Sequence, residues 1–196
     1  MVIFERKTNN RFFDFQIDFL FRISKIKKGF AIGTYSICND GKHIIYLDYD
    51  NFRFEWLIDE LNYLRQRYKL SNFYIFRSSK VGGGKYKHHC VCFDKVTARV
   101  YNEIVMESNA DMLFKNNGFF DFENARVLRF SSKTKSSIGM PYYHGFLESK
   151  YNNKQKSRGH INFYRKMFDI PEEHINLKNI DNSEGLRIIS YATRNI

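Results

Sequence analysis

Proline occurs twice, cysteine three times and tryptophan once in 196 residues. Glycine is held to 11, and no low-complexity tract or internal repeat is present. Three cysteines, an odd number, argue against a disulfide framework and fit a reducing compartment. No apolar run approaches the roughly 18 residues that span a bilayer. The N-terminus, MVIFERK, lacks the basic, apolar, then small order of a signal peptide. The expected location is therefore the cytoplasm. No G-x-x-x-x-G-K-[ST] stretch occurs, which excludes a helicase motor of the phosphate-loop type within this chain.

Acid is in short supply as well. Asp and Glu total 21 against 32 Lys and Arg, a formal net charge of +11, and the isoelectric point lies near 9.5. Such an excess points to a polyanionic partner, and it does not separate a binder from an enzyme. Aromatics are abundant, with 20 Phe and 13 Tyr. They serve either a Phe-rich core or the stacking of bases, and the core is expected to take most of them. Apolar residues make up 43%, enough for a real core and too many for wholesale disorder. The length suits one domain with a modest extension.

Patterning places the elements. A Phe-rich stretch from about Phe12 or Phe13 to Gly29 reads as a helix ending in Lys25, Lys27 and Lys28. Phe30 to Ile37 and His43 to Asp50 read as strands joined by Asn39-Asp40-Gly41, hence a hairpin. Phe54, Leu57, Leu61, Leu64 and Tyr68 step by 3 and 4, so 52–68 is an amphipathic helix with Asp50 or Asn51 as N-cap. Asn72 to Ser79 and His88 to Phe93 are strands flanking the glycine-rich loop VGGGK. Asp94 is expected to cap a helix over about 95–107, and Ala125 to Ser131 is a further strand. The polar, basic stretch ESKYNNKQKSR, residues 148–158, reads as a loop. It separates a body of about 1–147 from a small C-terminal α/β part, 148–196, packing on it. That part holds a helix over Gly159 to Phe168, a helix start at Pro171 and a strand over Leu186 to Ala192. The fold class is α+β, a mixed, mainly antiparallel sheet with helices interleaved.

Asp48 and Asp50 end an apolar strand. Residues two apart on a strand point the same way, so both carboxylates project to one side at a sheet edge. Like charges so placed repel unless a cation sits between them, and a hard divalent ion is the usual solution. The plainer alternative is that these acids cap the next helix in solvent. Gly82, Gly83 and Gly84 allow close backbone approach to a ligand, with Lys80, Lys85 and Lys87 adding positive charge for phosphate. His89 shares a face with Val91 and Phe93, and His88 with Cys90 and Cys92. Cys90-x-Cys92 lacks the turn spacing of a zinc site, and no second ligand pair accompanies it.

In order, LDYDN, a helix, FRSS…GGGKYKHHCVCFD, SNAD and VLRFSSK resemble the catalytic core of the archaeo-eukaryotic primase superfamily, most closely the primase-polymerases of plasmids and viruses. The resemblance covers about residues 30–135. It implies an RRM-like sheet and template-directed nucleotidyl transfer from nucleoside triphosphates to a 3′-hydroxyl with Mg²⁺ or Mn²⁺. Asp48 and Asp50 would hold metal, with Asp111 as third acid and Asp121 and Glu123 as rivals. Ser79, Lys87, His89, Arg129 and Lys133 would contact the nucleotide, Lys87 standing where the family often has serine. Single-stranded DNA template and primer, nucleoside triphosphates and a helicase are the implied partners, in the cytoplasm of a plasmid- or virus-bearing cell. The basic stretch from Lys150 through Lys154 and Lys156 to Arg158 would grip template or stay solvated.

Two other functions fit the composition. A replication-initiator nuclease would nick DNA with a tyrosine and needs two metal-binding histidines on one strand face, whereas adjacent His88 and His89 face opposite ways. A non-catalytic single-strand-binding module would keep the charge and aromatics without needing Asp48 and Asp50.

Overall fold

The computed structural model describes residues 3–6, 19–22, 29–50, 52–81, 85–117, 125–131, 139–181, 186 and 188–193. Strands β1 (Ile3–Arg6), β2 (Phe19–Arg22), β3 (Gly29–Tyr35) and β4 (His43–Tyr49) precede helix α1 (Phe54–Tyr68). Then come β5 (Phe73–Val81), β6 (Lys85–Val96), α2 (Ala98–Glu107), α3 (Met112–Asn117), β7 (Val127–Arg129) and β8 (Tyr142–Leu147). Last are β9 (Lys156–Ser157), α4 (Arg158–Phe168), a 3₁₀ turn at Glu172–His174, β10 (Ile180–Asp181) and β11 (Ile188–Thr193). The α+β class read from the pattern holds.

Long β6 organises the main sheet. It pairs antiparallel with β4 along one edge and with β5 along the other, and β5 carries β8 beyond it. At its far end β6 touches β9 through Asp94 and Lys156, and β9 runs parallel to β10. A second sheet has the order β11-β3-β7, and β1 pairs with β2. Strand alternation gives the main sheet two buried faces. One packs on α4, where Phe76 meets Tyr164 and Phe168, and Tyr46 and Phe93 meet Tyr164. The other carries Leu47, Cys90 and Ile75 toward α1, whose Leu57, Leu61 and Leu64 are fully buried. Phe73, Phe76, Phe93, Tyr46 and Tyr49 are almost wholly buried, so much of the aromatic excess is core.

Four expectations change. The stretch from Phe12 to Gly29 is not one helix: Phe19–Arg22 forms a strand on β1. Phe19, Leu20 and Phe21 are a short continuous apolar run, which periodicity alone does not assign to helix or strand. β3 and β4 are not a laddered hairpin. They meet at one bridge, Ile37 to His43, because β3 pairs with β7 and β11. Thr34 joins the two sheets instead: its Oγ1 lies 2.7 Å from the Tyr46 hydroxyl and 3.2 Å from that of Tyr164. Asp50 does not cap α1, whose N-cap is Arg53 with no side-chain bond. Asp94 does not cap α2 either; Thr97 does, accepting from the Val100 N–H. Asp94 lies in β6, buried, accepting from the Ser71 N–H and hydroxyl at 2.7 and 2.6 Å.

The 148–158 stretch is tied down. Lys154 Nζ donates to the carbonyls of Tyr68 and Lys69, closing the C-terminus of α1. Buried Lys156 donates to Asn152 and to the Lys178 carbonyl. These two lysines are structural rather than solvated or free for template. α4 adds Ile161, Tyr164 and Phe168 to the same core as the main sheet. No helix among the described residues is long and apolar enough to cross a membrane.

Candidate active site

Register decides which histidine meets the aspartates. Asp48 on β4 stands opposite His89 on β6, and Tyr49 stands opposite His88. Directly opposed residues share a face. His89 therefore joins Asp48 on the α4 side, and His88 joins Arg77, its partner on β5, on the α1 side. His89 Nε2 lies 3.5 Å from Asp48 Oδ1.

Asp48 is held without enough partners. Its Oδ1 is buried and accepts no hydrogen bond, although 29% of the side chain remains exposed. Burial, then the charge of Asp50, pushes its carboxyl up to about 7; Asp111 adds to the rise, while Lys87 and Arg129 oppose it. Those five side chains thus form one electrostatic cluster. Asp50 is ion-paired with the Lys87 ammonium, also its hydrogen-bond donor. Lys87 thereby occupies the position a cation would take beside Asp50.

Asp111 is clamped against the end of β4, its N–H donating to the Asp48 carbonyl at 2.7 Å. Its Oδ1 caps α3, accepting from Leu113 N–H at 2.9 Å and Phe114 N–H at 3.2 Å. Arg129, 7% exposed on β7, donates through Nη1 to the carbonyls of Ser131 and Gly139. β7 reaches this region because β3 holds it, with Gly33 opposite Arg129, and the Ser131 hydroxyl accepts from the Ile32 N–H at 2.8 Å.

The structure therefore brings together Asp48, Asp50, Lys87, His89 and Arg129, with Asp111 at the margin. Ser79 pairs with Lys87 in the β5–β6 ladder, and its side chain lies outside the described residues, as do Lys133, Asp121, Glu123 and Gly82 to Gly84. Among the described residues no group of three or more His, Cys, Asp or Glu side chains is disposed to hold a metal ion as the chain stands. The donor chemistry nonetheless fits a hard divalent cation. Asp48 offers an unbonded buried oxygen, Asp50 is already neutralised by a cation, and such ions complete their shell with water and substrate oxygens. Asp111 could join only by turning from its cap.

Among the buried cations that sequence reading missed are Lys95 and Arg126. Lys95 Nζ, wholly buried, lies 2.8 Å from both Asp40 and Asp181. Arg126, 1% exposed, donates to Asn102 Oδ1 and the Lys115 carbonyl and lies over the Tyr101 ring. Both carry charge in segments that otherwise read as apolar or surface, so no local pattern marks them.

Compared with known proteins, the chain matches no family model, no curated protein and no solved structure.

Proposed function

We propose that this protein is a metal-dependent primase-polymerase, transferring nucleotides from nucleoside triphosphates to a 3′-hydroxyl on a single-stranded DNA template, as in priming replication of a mobile element. One observation carries the reading: an acid pair at a strand end faces a histidine fixed by register, with Lys87 and Arg129 beside it. Asp48 and Asp50 hold Mg²⁺ or Mn²⁺, with Asp111 completing the set once released from its cap. When bound, the ion lowers the pKa of the attacking hydroxyl and neutralises charge on departing pyrophosphate. Lys87 would exchange Asp50 for the triphosphate tail, and Arg129 and His89, beside it, would turn donors from their present partners to the same phosphates. No covalent enzyme intermediate is needed, which agrees with buried cysteines, the Cys90 and Cys92 thiols being pushed up by burial.

The test is extension of a primed DNA template by purified protein with Mn²⁺ and nucleoside triphosphates. Wild type should incorporate, and Asp48→Ala or Asp50→Ala should reduce the rate at least 100-fold with the fold intact. Retained synthesis in the double variant would overturn the assignment. A covalent protein–DNA adduct on single-stranded DNA would replace it with the nicking reaction.

A further inference from the structure

The end of the main sheet that carries the acids has a second face, on the α1 side. α1 begins at Phe54, whose ring lies 5.6 Å from that of His88 and covers part of this face. Arg77, Tyr86, His88 and Tyr142 share this face by register: Arg77 pairs with both His88 and Tyr142, and Tyr86 lies two residues before His88. His144 joins them, its ring edge-on to Phe54 at 5.2 Å. The Arg77 guanidinium sits 4.5 Å from the Tyr86 ring centre and 5.8 Å from that of Phe54. Among the described residues it has no carboxylate partner, and its Nε is buried without a hydrogen bond. His88, 1% exposed, bonds through neither ring nitrogen. Burial, then Arg77 and His144, lowers its pKa to about 4, so these three basic groups lie close together with no acid among them. Tyr142 is 52% exposed, and His144 is exposed too.

An arginine with no carboxylate partner, set near two rings and beside the exposed Tyr142 and His144, suits a strand with unpaired bases. Phosphate takes the guanidinium N–H groups, and bases stack on rings. We propose that this face binds single-stranded nucleic acid, with phosphate at Arg77 and bases on Tyr142 and His144. The inference takes from the proposed function only that the protein handles a nucleic-acid strand. It places that strand on the face opposite Asp48.

The test uses fluorescein-labelled (dT)₂₀ and the full chain in EDTA, without nucleotide, followed by anisotropy. Wild type should bind, Tyr142→Ala should weaken binding about 5- to 150-fold, from the 1–3 kcal/mol that one stacked base contributes, and Arg77→Gln should weaken it about 5-fold or more through the lost phosphate contact. An abasic strand of equal length should bind at least 10-fold more weakly than (dT)₂₀. Tyr142 is half exposed, so its variant should melt like wild type and report binding alone. Unchanged affinity in both variants, equal binding of the abasic strand, or displacement by polyglutamate as effective as by unlabelled (dT)₂₀ would each overturn the proposal. Primer extension plays no part in this readout. A chain that binds through Arg77 yet never incorporates keeps this inference and loses the enzymatic one, and the reverse result separates them equally.

Discussion

Asp48 and His89 face one another across the β4–β6 ladder, Nε2 to Oδ1 at 3.5 Å. The contact is set by backbone pairing, so it is present before any ligand arrives. It leaves Asp48 Oδ1 buried and short of hydrogen bonds, which is expensive for a charged group.

That cost has a sign in pH. The Asp48 carboxyl stands at about 7 in the folded chain against an ordinary 3.8. A raised acid is fully accommodated below its unfolded value, and its penalty grows as pH rises from 3.8 through 7. Asp48→Asn should therefore stabilise the protein by roughly 1–3 kcal/mol at pH 8 and by nearly nothing at pH 3. Urea unfolding at the two pH values checks it. For the same reason Mn²⁺ affinity of wild type should rise through neutral pH as the competing proton leaves, measured by calorimetry at pH 6 and 8.

Lys87 competes with any cation for Asp50. Lys87→Met should tighten Mn²⁺ binding about 3- to 10-fold, since roughly 1 kcal/mol of ion pairing no longer has to be displaced. It should weaken nucleoside triphosphate binding by a similar factor, because the donor for phosphate is lost. Titrations of metal alone and of nucleotide with metal distinguish the two effects.

Lys95 ties β6 to the Asp40 turn and to β10. Breaking a buried ion pair on one side typically costs 3–5 kcal/mol. Asp40 and Asp181 keep 36% and 19% of their side chains exposed, so water can recover part of the loss. Lys95→Ala should destabilise by about 2 kcal/mol, and adding Asp40→Asn should return part of it in a double-mutant comparison by thermal melting.

His160 is buried and neutral. Its Nε2 donates to the Tyr35 carbonyl at 2.9 Å, so its Nδ1 accepts from the Ser157 hydroxyl at 2.6 Å. Burial lowers its pKa to about 4 from 6.5. A depressed histidine contributes stability above pH 6.5 that is lost as pH falls toward 4. His160→Asn, which loses the ring but has no proton to gain, should show a flatter decline in melting temperature between pH 6.5 and 4 than wild type.

Periodicity made α1, β5 and the heart of β6 legible, because their buried stripes repeat at 3.6 or 2. It also put Asp48 and His89 on faces that pairing could unite, since alternation is local. What it could not supply was the partner of each strand. β3 followed by a turn and β4 looks like a hairpin, yet β3 spends its hydrogen bonds on β7 and β11. Roles that depend on distant groups were equally hidden. Asp94 precedes a helix as a cap would, but Ser71, 23 residues earlier, claims its carboxylate. Lys154 and Lys156 read as a basic run that grips template or stays solvated, and instead satisfy carbonyls far away in sequence.

Adjacent histidines make the site sensitive to misalignment. Sliding β6 by one residue against β4 would bring His88 opposite Asp48 and turn Val91 and Phe93 out of the α4 core, with Cys90 and Cys92 taking their side. It would also pull Lys95 away from Asp40 and Asp181. The ion triad at one end of the strand therefore acts as a pawl for the other end. It lets the chain close with His89, and not its neighbour, beside the acids.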